Sequence, residues 1–157
     1  MNALLGLVLL AAPILPGGGD PDPAAAVPDT FPILVDVAAP SMLVARVLAS
    51  PAVAPWLARI PEGARRRIDV LSERRITRLA VALEPRLLGS WRAVGLARTA
   101  DPQGLRRAIL AVHPEAVLDE IGPWFAVADS RDTLDAAKAA FRGDDRPLSE
   151  VPAFRRF

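Results

Sequence analysis

Apolar positions alternate most cleanly from Ile76 to Glu84. Leu79, Val81 and Leu83 fall on one face of an extended chain, and Ala80 and Ala82 on the other. Trp91 to Arg98 repeats the pattern with Val94 and Leu96 on one face, and the loop from Pro85 to Ser90 is short enough to join the two strands as a hairpin. An earlier strand is expected over Phe31 to Val37, with Ile33, Val35 and Val37 on one face and Leu34 and Asp36 on the other. Trp124 to Ala128 is apolar on both faces, which suits a strand covered on both sides or paired inside a sheet. A weaker period of two over Ala116 to Leu118 suggests a further strand, joined to it through Asp119-Glu120-Ile121-Gly122.

Between the strands the apolar period changes to that of helices. Ser41 caps a segment running to about Ser50 that turns Leu43, Val44, Val47 and Leu48 inward. Short helices are expected to begin near Pro51 and Pro61, because proline is tolerated in the first helical turn. Trp56, Leu57 and Ile60 should pack together, and Ile68 and Leu71 face inward from a charged helix over Pro61 to Arg75. Asp101-Pro102 is a cap followed by proline at the first position. It starts a helix with a stripe of Leu105, Ile109 and Val112 that ends before Pro114. Asp129 or Ser130 caps the last helix, Asp132 places negative charge in its first turn, and Leu134, Ala137 and Phe141 form its stripe. Gly143 is its left-handed stop and Pro147 prevents continuation. Ser149 then reads as the cap of a final turn holding Pro152, Phe154 and Phe157.

The predicted fold class is α+β. The order strand-helix-strand-strand-helix-strand is ferredoxin-like, with an antiparallel sheet covered by helices on one face. Residues 3–15 form an apolar run of signal-peptide length, too short to span a bilayer comfortably, and Ala24-Ala25-Ala26 offers a small-x-small cleavage site before Val27. No Lys or Arg precedes that run. Asp20 to Pro28 is Pro- and Ala-rich and reads as a linker. The expected organisation is therefore a signal peptide and linker over residues 1–26 and a single α+β domain over residues 27–157 of an exported chain, periplasmic or extracellular.

The last fifth of the chain carries a resemblance. An apolar strand ending in Ala128-Asp129-Ser130, an Ala-rich helix, and then Leu148-Ser149-x-x-Pro152-Ala153-Phe154-Arg155 resembles a bacterial family of secreted or membrane-anchored proteins known as a domain of unknown function. Such proteins often have Gly where Ala128 stands and Ser-Leu where this chain has Leu148-Ser149. The resemblance implies an exported envelope protein with an α+β fold, and implies no activity. It also implies further strands beyond the final turn, so the chain reads as a truncated member whose domain is incomplete at the C-terminus.

Composition narrows the function classes. A length of 157 residues suits one domain, and the net charge of +1 argues against a dedicated nucleic-acid binder. With no cysteine there is no disulfide and no thiolate metal site. Arg65, Arg66, Arg67, Arg74, Arg75 and Arg78 form a basic cluster that could hold an anion, a nucleic-acid phosphate or a lipid headgroup. Glu62, Asp69 and Glu73 are interspersed and no aromatic residues interleave, so a solvated helix face explains the cluster as well. The single histidine, His113, sits at a helix end. Ser90 and Ser130 lie in no nucleophile motif, and His113 with Asp119 and Glu120 lacks the spacing of a metal site. Asp144 and Asp145 adjoin in a turn rather than facing across a cleft. No phosphate-binding glycine loop is present, so no cofactor is expected. The expected function is a non-enzymatic binding or scaffolding module, whose partner would be another envelope protein or the missing C-terminal part of the same fold. The alternatives are a carrier of a small apolar ligand, with a pocket near Trp56, Trp91 and Trp124, and an anion binder using Arg65 to Arg78.

Overall fold

The structure, a computed structural model, describes residues 21–40, 76–86 and 90–152, with residues 42, 45, 46, 49 and 62 as isolated positions. The apolar run over residues 3–15, the helices expected between Ser41 and Arg75, and the turn from Phe154 to Phe157 lie outside or almost wholly outside the described residues. Strands β1 (Ile33–Ala38), β2 (Ile76–Pro85), β3 (Trp91–Thr99), β4 (Val117–Ile121) and β5 (Trp124–Ala128) form one antiparallel sheet in the order β1-β2-β3-β5-β4. Helix α1 (Pro102–Val112) follows β3, and helix α2 (Arg131–Arg142) follows β5.

The α+β class therefore stands, and the finer expectation of a ferredoxin-like order is corrected. That order would bring β1 into the sheet interior. Instead β1 lies at an edge beside β2, in a register running from Ile33↔Leu83 to Ala38↔Arg78. The reason is continuity of the ladders. β1 and β2 match apolar rows over six residues, β2 and β3 form the expected hairpin, and the β4–β5 hairpin turns at Gly122-Pro123 so that β5 lands against β3. Gly122 takes a φ of 55°, as the first position of a primed two-residue turn requires. A shift in register between Ile76 and Arg78 moves Ile76 onto the face that carries Leu79 and Ala97.

Helices cover both faces of the sheet rather than one. On one face Leu105 of α1 packs with Ile76, Ala97, Leu118 and Phe125, flanked by Ile109, Leu110 and Val127. On the other, Leu134 and Ala137 of α2 pack against Ala126, Ala128, Trp124 and Ile121. The cause is β5, whose Phe125 and Val127 point one way while Trp124, Ala126 and Ala128 point the other.

The face that carries Ala80 and Ala82 is covered beside α2 by an N-terminal strap. Asp22 caps a 3₁₀ turn over Pro23–Ala26, its carboxylate accepting from Ala24 N at 3.0 Å. Ala24, Ala26, Val27 and Phe31 are fully buried. Residues expected to be a linker are thus part of the core. Alanines of the strap and of β2 belong to one buried cluster, together with Leu134 and Ala137 of α2. The strap is tied down by Leu148 N donating to Val27 O at 2.7 Å and by Asp29 N donating to Arg146 O at 3.1 Å. Leu148–Glu150 is a 3₁₀ turn whose preceding residue, Pro147, makes no side-chain cap, so Ser149 lies inside the turn and does not cap it.

Candidate functional site

The two outer strands of the sheet differ, and that difference defines the site. Ala39 N donates to Thr77 O at 2.8 Å. Antiparallel alternation then turns the backbone groups of Val37, Val35 and Ile33 toward β2, and those of Leu34, Asp36 and Ala38 away from it. Among the described residues β1 has one strand neighbour, so those outward N–H and C=O groups form an open edge. The strand reads Ile-Leu-Val-Asp-Val-Ala, with no lysine or proline within it. Ile33 is 39% exposed, and at the same end of the sheet, on the same face, Trp91 is 38% exposed.

The single charge of β1 is matched inside its own sheet. Arg78 Nη2 meets Asp36 Oδ2 at 2.5 Å and Nε meets Oδ1 at 3.0 Å, a two-pronged pair. A third donor, Nη1, reaches Pro21 O at 3.2 Å, and the guanidinium lies 5.9 Å from the centre of the Trp124 ring. The Trp124 Nε1–H beneath it is buried and has no hydrogen-bond partner among the described residues. This fixes the place of Arg78: it is a largely buried member of β2, tying β1 to the strap, and not part of a basic helix face. The other members of the expected anion-binding cluster, Arg65, Arg66, Arg67, Arg74 and Arg75, lie outside the described residues.

On the opposite edge, β4, one outward amide is taken. Asp119 Oδ2 accepts from Lys138 Nζ of α2 at 2.5 Å, while its Oδ1 accepts from the neighbouring Glu120 N at 2.9 Å. The two-residue turn makes Ile121 and Trp124 a bonded pair, so the Glu120 amide faces outward and the Asp119 carboxylate covers it. The hydrogen bond from Lys138, and after it that from Glu120 N–H, hold the Asp119 carboxyl below its ordinary pKa.

Other polar groups singled out in the sequence serve the fold. Ser130 caps α2 by accepting from Thr133 N at 3.3 Å, and Asp129 accepts from Thr133 Oγ1 at 2.6 Å and from Ala93 N at 3.0 Å. Arg92 completes this clamp by donating to Thr133 Oγ1 at 2.8 Å and Glu84 Oε2 at 3.2 Å, and its guanidinium lies 5.5 Å from the centre of the Phe31 ring. The clamp was hidden in sequence because its members lie on three elements. His113 Nδ1 meets Glu115 Oε1 at 3.3 Å, and Asp119 is held by Lys138 instead. Asp144 accepts from Arg142 Nε at 2.8 Å and Asp145 accepts from Arg146 N at 2.8 Å. Trp91 and Trp124 stand on opposite faces and near opposite ends of the sheet, so they share no pocket, and Trp56 lies outside the described residues. A groove of about 180 Å³ beside Thr99, Pro102, Glu120 and Phe125 is smaller than the usual small-molecule site.

No protein-family model, no curated protein and no solved structure matches this chain. Among the described residues no helix is long and apolar enough to cross a membrane.

Proposed function

We propose that the chain is a non-enzymatic binding or scaffolding module of an exported envelope protein, and that it docks an extended partner strand along the outer edge of β1. The observation that carries this reading is the asymmetry of the sheet: β4 is capped by Asp119 and flanked by Glu120, whereas β1 keeps an apolar, β-branched edge whose one carboxylate is already neutralised by Arg78. Main-chain hydrogen bonds would supply affinity, and the side chains beside them, Ile33 and Trp91 first, would supply selectivity. Export rests on the apolar run over residues 3–15 and on the family resemblance. The buried strap adds a condition: cleavage after Ala26 would remove Pro23, Ala24 and Ala26 from the core, so a mature chain should begin upstream of Asp22.

One experiment on whole cells tests both parts. The full chain carries a photo-crosslinking residue at Ile33 or, as control, at Glu120; cells are fractionated and the N-terminus is determined by mass spectrometry. The expected result is an extracytoplasmic chain beginning upstream of Asp22, with adducts from position 33 and none from position 120. A cytoplasmic chain that keeps Met1 overturns the envelope assignment, and equal or absent adducts at the two positions overturn the edge.

A further inference from the structure

We propose that the end of the sheet formed by the β2–β3 hairpin is a lipid-contacting tip. Trp91 and its apolar neighbours enter the headgroup region of an anionic membrane surface, and Arg86 meets the lipid phosphates. This goes beyond the edge-docking reading and does not depend on it. A strand along β1 would lie beside the sheet, and a lipid surface beyond its end.

Strand register builds the patch. Ile33 pairs with Leu83, Leu83 with Ala93 and Pro85 with Trp91, and residues two apart on a strand share a face, so these side chains lie together. Helix α1 packs at the other end of that face, where Leu105 meets Ile76, Ala97 and Phe125. Leu83 is buried, whereas Ile33 and Trp91 are exposed, and so are Pro32 and Pro85.

Charge and side-chain chemistry select lipid over a protein partner. Tryptophan favours the membrane–water interface, because its ring is apolar in body and polar at its N–H. Arg86 N donates to Ser90 O at 2.9 Å, which sets Arg86 at the same hairpin end as Trp91. Arg86 is exposed, and its guanidinium has no hydrogen-bond or ion-pair partner among the described residues. Arg92, by contrast, lies on the opposite face and is taken by Glu84 and Thr133. An unpaired cation beside an exposed apolar patch matches an anionic headgroup above its acyl chain. The residues between Arg86 and Ser90 lie outside the described residues, and their sequence, Leu87-Leu88-Gly89, brings no opposing carboxylate. Pro32 and Pro85 have no N–H, so this end of the sheet offers few main-chain donors to a protein strand.

The chain has no cysteine, so a single labelled cysteine reports one position. In the purified full-length protein an environment-sensitive dye is carried by Ser90→Cys or, as control, by Gln103→Cys, exposed in the first turn of α1 near the other end of the sheet. With vesicles of phosphatidylglycerol and phosphatidylcholine in equal parts, the dye at position 90 should shift to the blue and be quenched by spin-labelled lipid. The dye at position 103 should do neither. Insertion of the apolar run over residues 3–15 alone would not place position 90 in lipid, so the tip is read separately from it. Arg86→Gln should lower partition into these vesicles about fivefold, the effect of one cation at an anionic surface. Trp91→Ser should also lower it, with the circular dichroism of both variants unchanged. No shift at position 90, or equal shifts at the two positions, would overturn the tip. An Arg86→Gln chain that partitions like its parent would overturn the anionic surface. A shift at position 90 that grows with protein concentration in the absence of vesicles would replace lipid with a protein contact. None of these outcomes bears on the edge reading, which is decided by adducts at Ile33 in cells.

Discussion

Strand β4 ends the sheet with two carboxylates, one of which accepts the neighbouring outward amide, while β1 ends it with a lone carboxylate turned inward to Arg78. Each edge holds an aspartate in a strong ion pair, Asp119 with Lys138 and Asp36 with Arg78. The pairs serve opposite ends. Asp119 gives its second oxygen to the edge itself, so a strand that would dock there finds Glu120 N–H already bonded and meets the Glu120 carboxylate. Asp36 gives both oxygens to Arg78, so its charge is cancelled and it bonds no outward backbone group among the described residues. The same residue type thus bonds an outward amide on one edge and, among the described residues, none on the other, according to which donor sits across the sheet from it.

The contrast can be broken at the turn that holds β4 against β5. Gly122 and Gly143 both have left-handed backbones, with φ of 55° and 78°. A Cβ on Gly122 would lie 2.2 Å from the Phe141 ring, whereas one on Gly143 would meet nothing within 4 Å. Gly143→Ala should therefore cost only the backbone penalty, about 1 kcal/mol. Gly122→Ala adds overpacking and should cost about 2–4 kcal/mol, as read from urea denaturation of the two variants side by side. Equal losses would mean that Phe141, which is 38% exposed, swings away freely and that the turn is less constrained than the closed edge implies.

A second change sharpens the contrast with little loss of stability. Asp119→Ala removes the exposed pair with Lys138, worth at most about 1 kcal/mol, and uncovers the Glu120 amide. If the aspartate is what closes β4, the variant has two receptive edges. It should then self-associate more than the parent chain in sedimentation velocity, with an almost unchanged urea midpoint. An unaltered distribution would assign the closure to the Glu120 side chain alone.

Much of the closed half was legible in the sequence, because its signals are local. Asp101-Pro102, Ser130 and Gly143 act within a few residues of themselves, and the structure uses each as expected, with Asp101 accepting from Gly104 N at 2.8 Å. The strap was misread for a physical reason: a run of alanine and proline carries almost no hydrophobic period, yet small residues bury well against the equally small Ala80 and Ala82. Strand order was hidden because the partners of β1 lie across a long connection, beyond the reach of any local pattern. Arg78 was grouped with its arginine neighbours by proximity in the chain, whereas parity along β2 points it at Asp36. That β1 lies at an edge of the sheet was invisible, since Leu34 and Asp36 have the same side chains whether or not their backbones are paired.

The smallest expected effect concerns protonation of the closed edge. Lys138 and the Glu120 amide both favour the charged form of Asp119, so its folded pKa lies below the unfolded value of about 3.9. A lowered folded pKa means that the unfolded chain binds the proton more readily, so the contribution is fully present above the unfolded value and is lost as pH falls through the folded one. Partial exposure of the pair keeps that contribution small, but the position of the titration is sharp evidence. In a carboxyl-detected NMR titration of the intact chain, Asp119 should titrate below the ordinary aspartate range. Lys138→Met should move it upward but not fully to the ordinary value, because the Glu120 N–H bond remains. A titration unmoved by Lys138→Met would show that the amide, and not the ammonium, holds the carboxylate. The edge would then be closed by β4 alone, without help from α2.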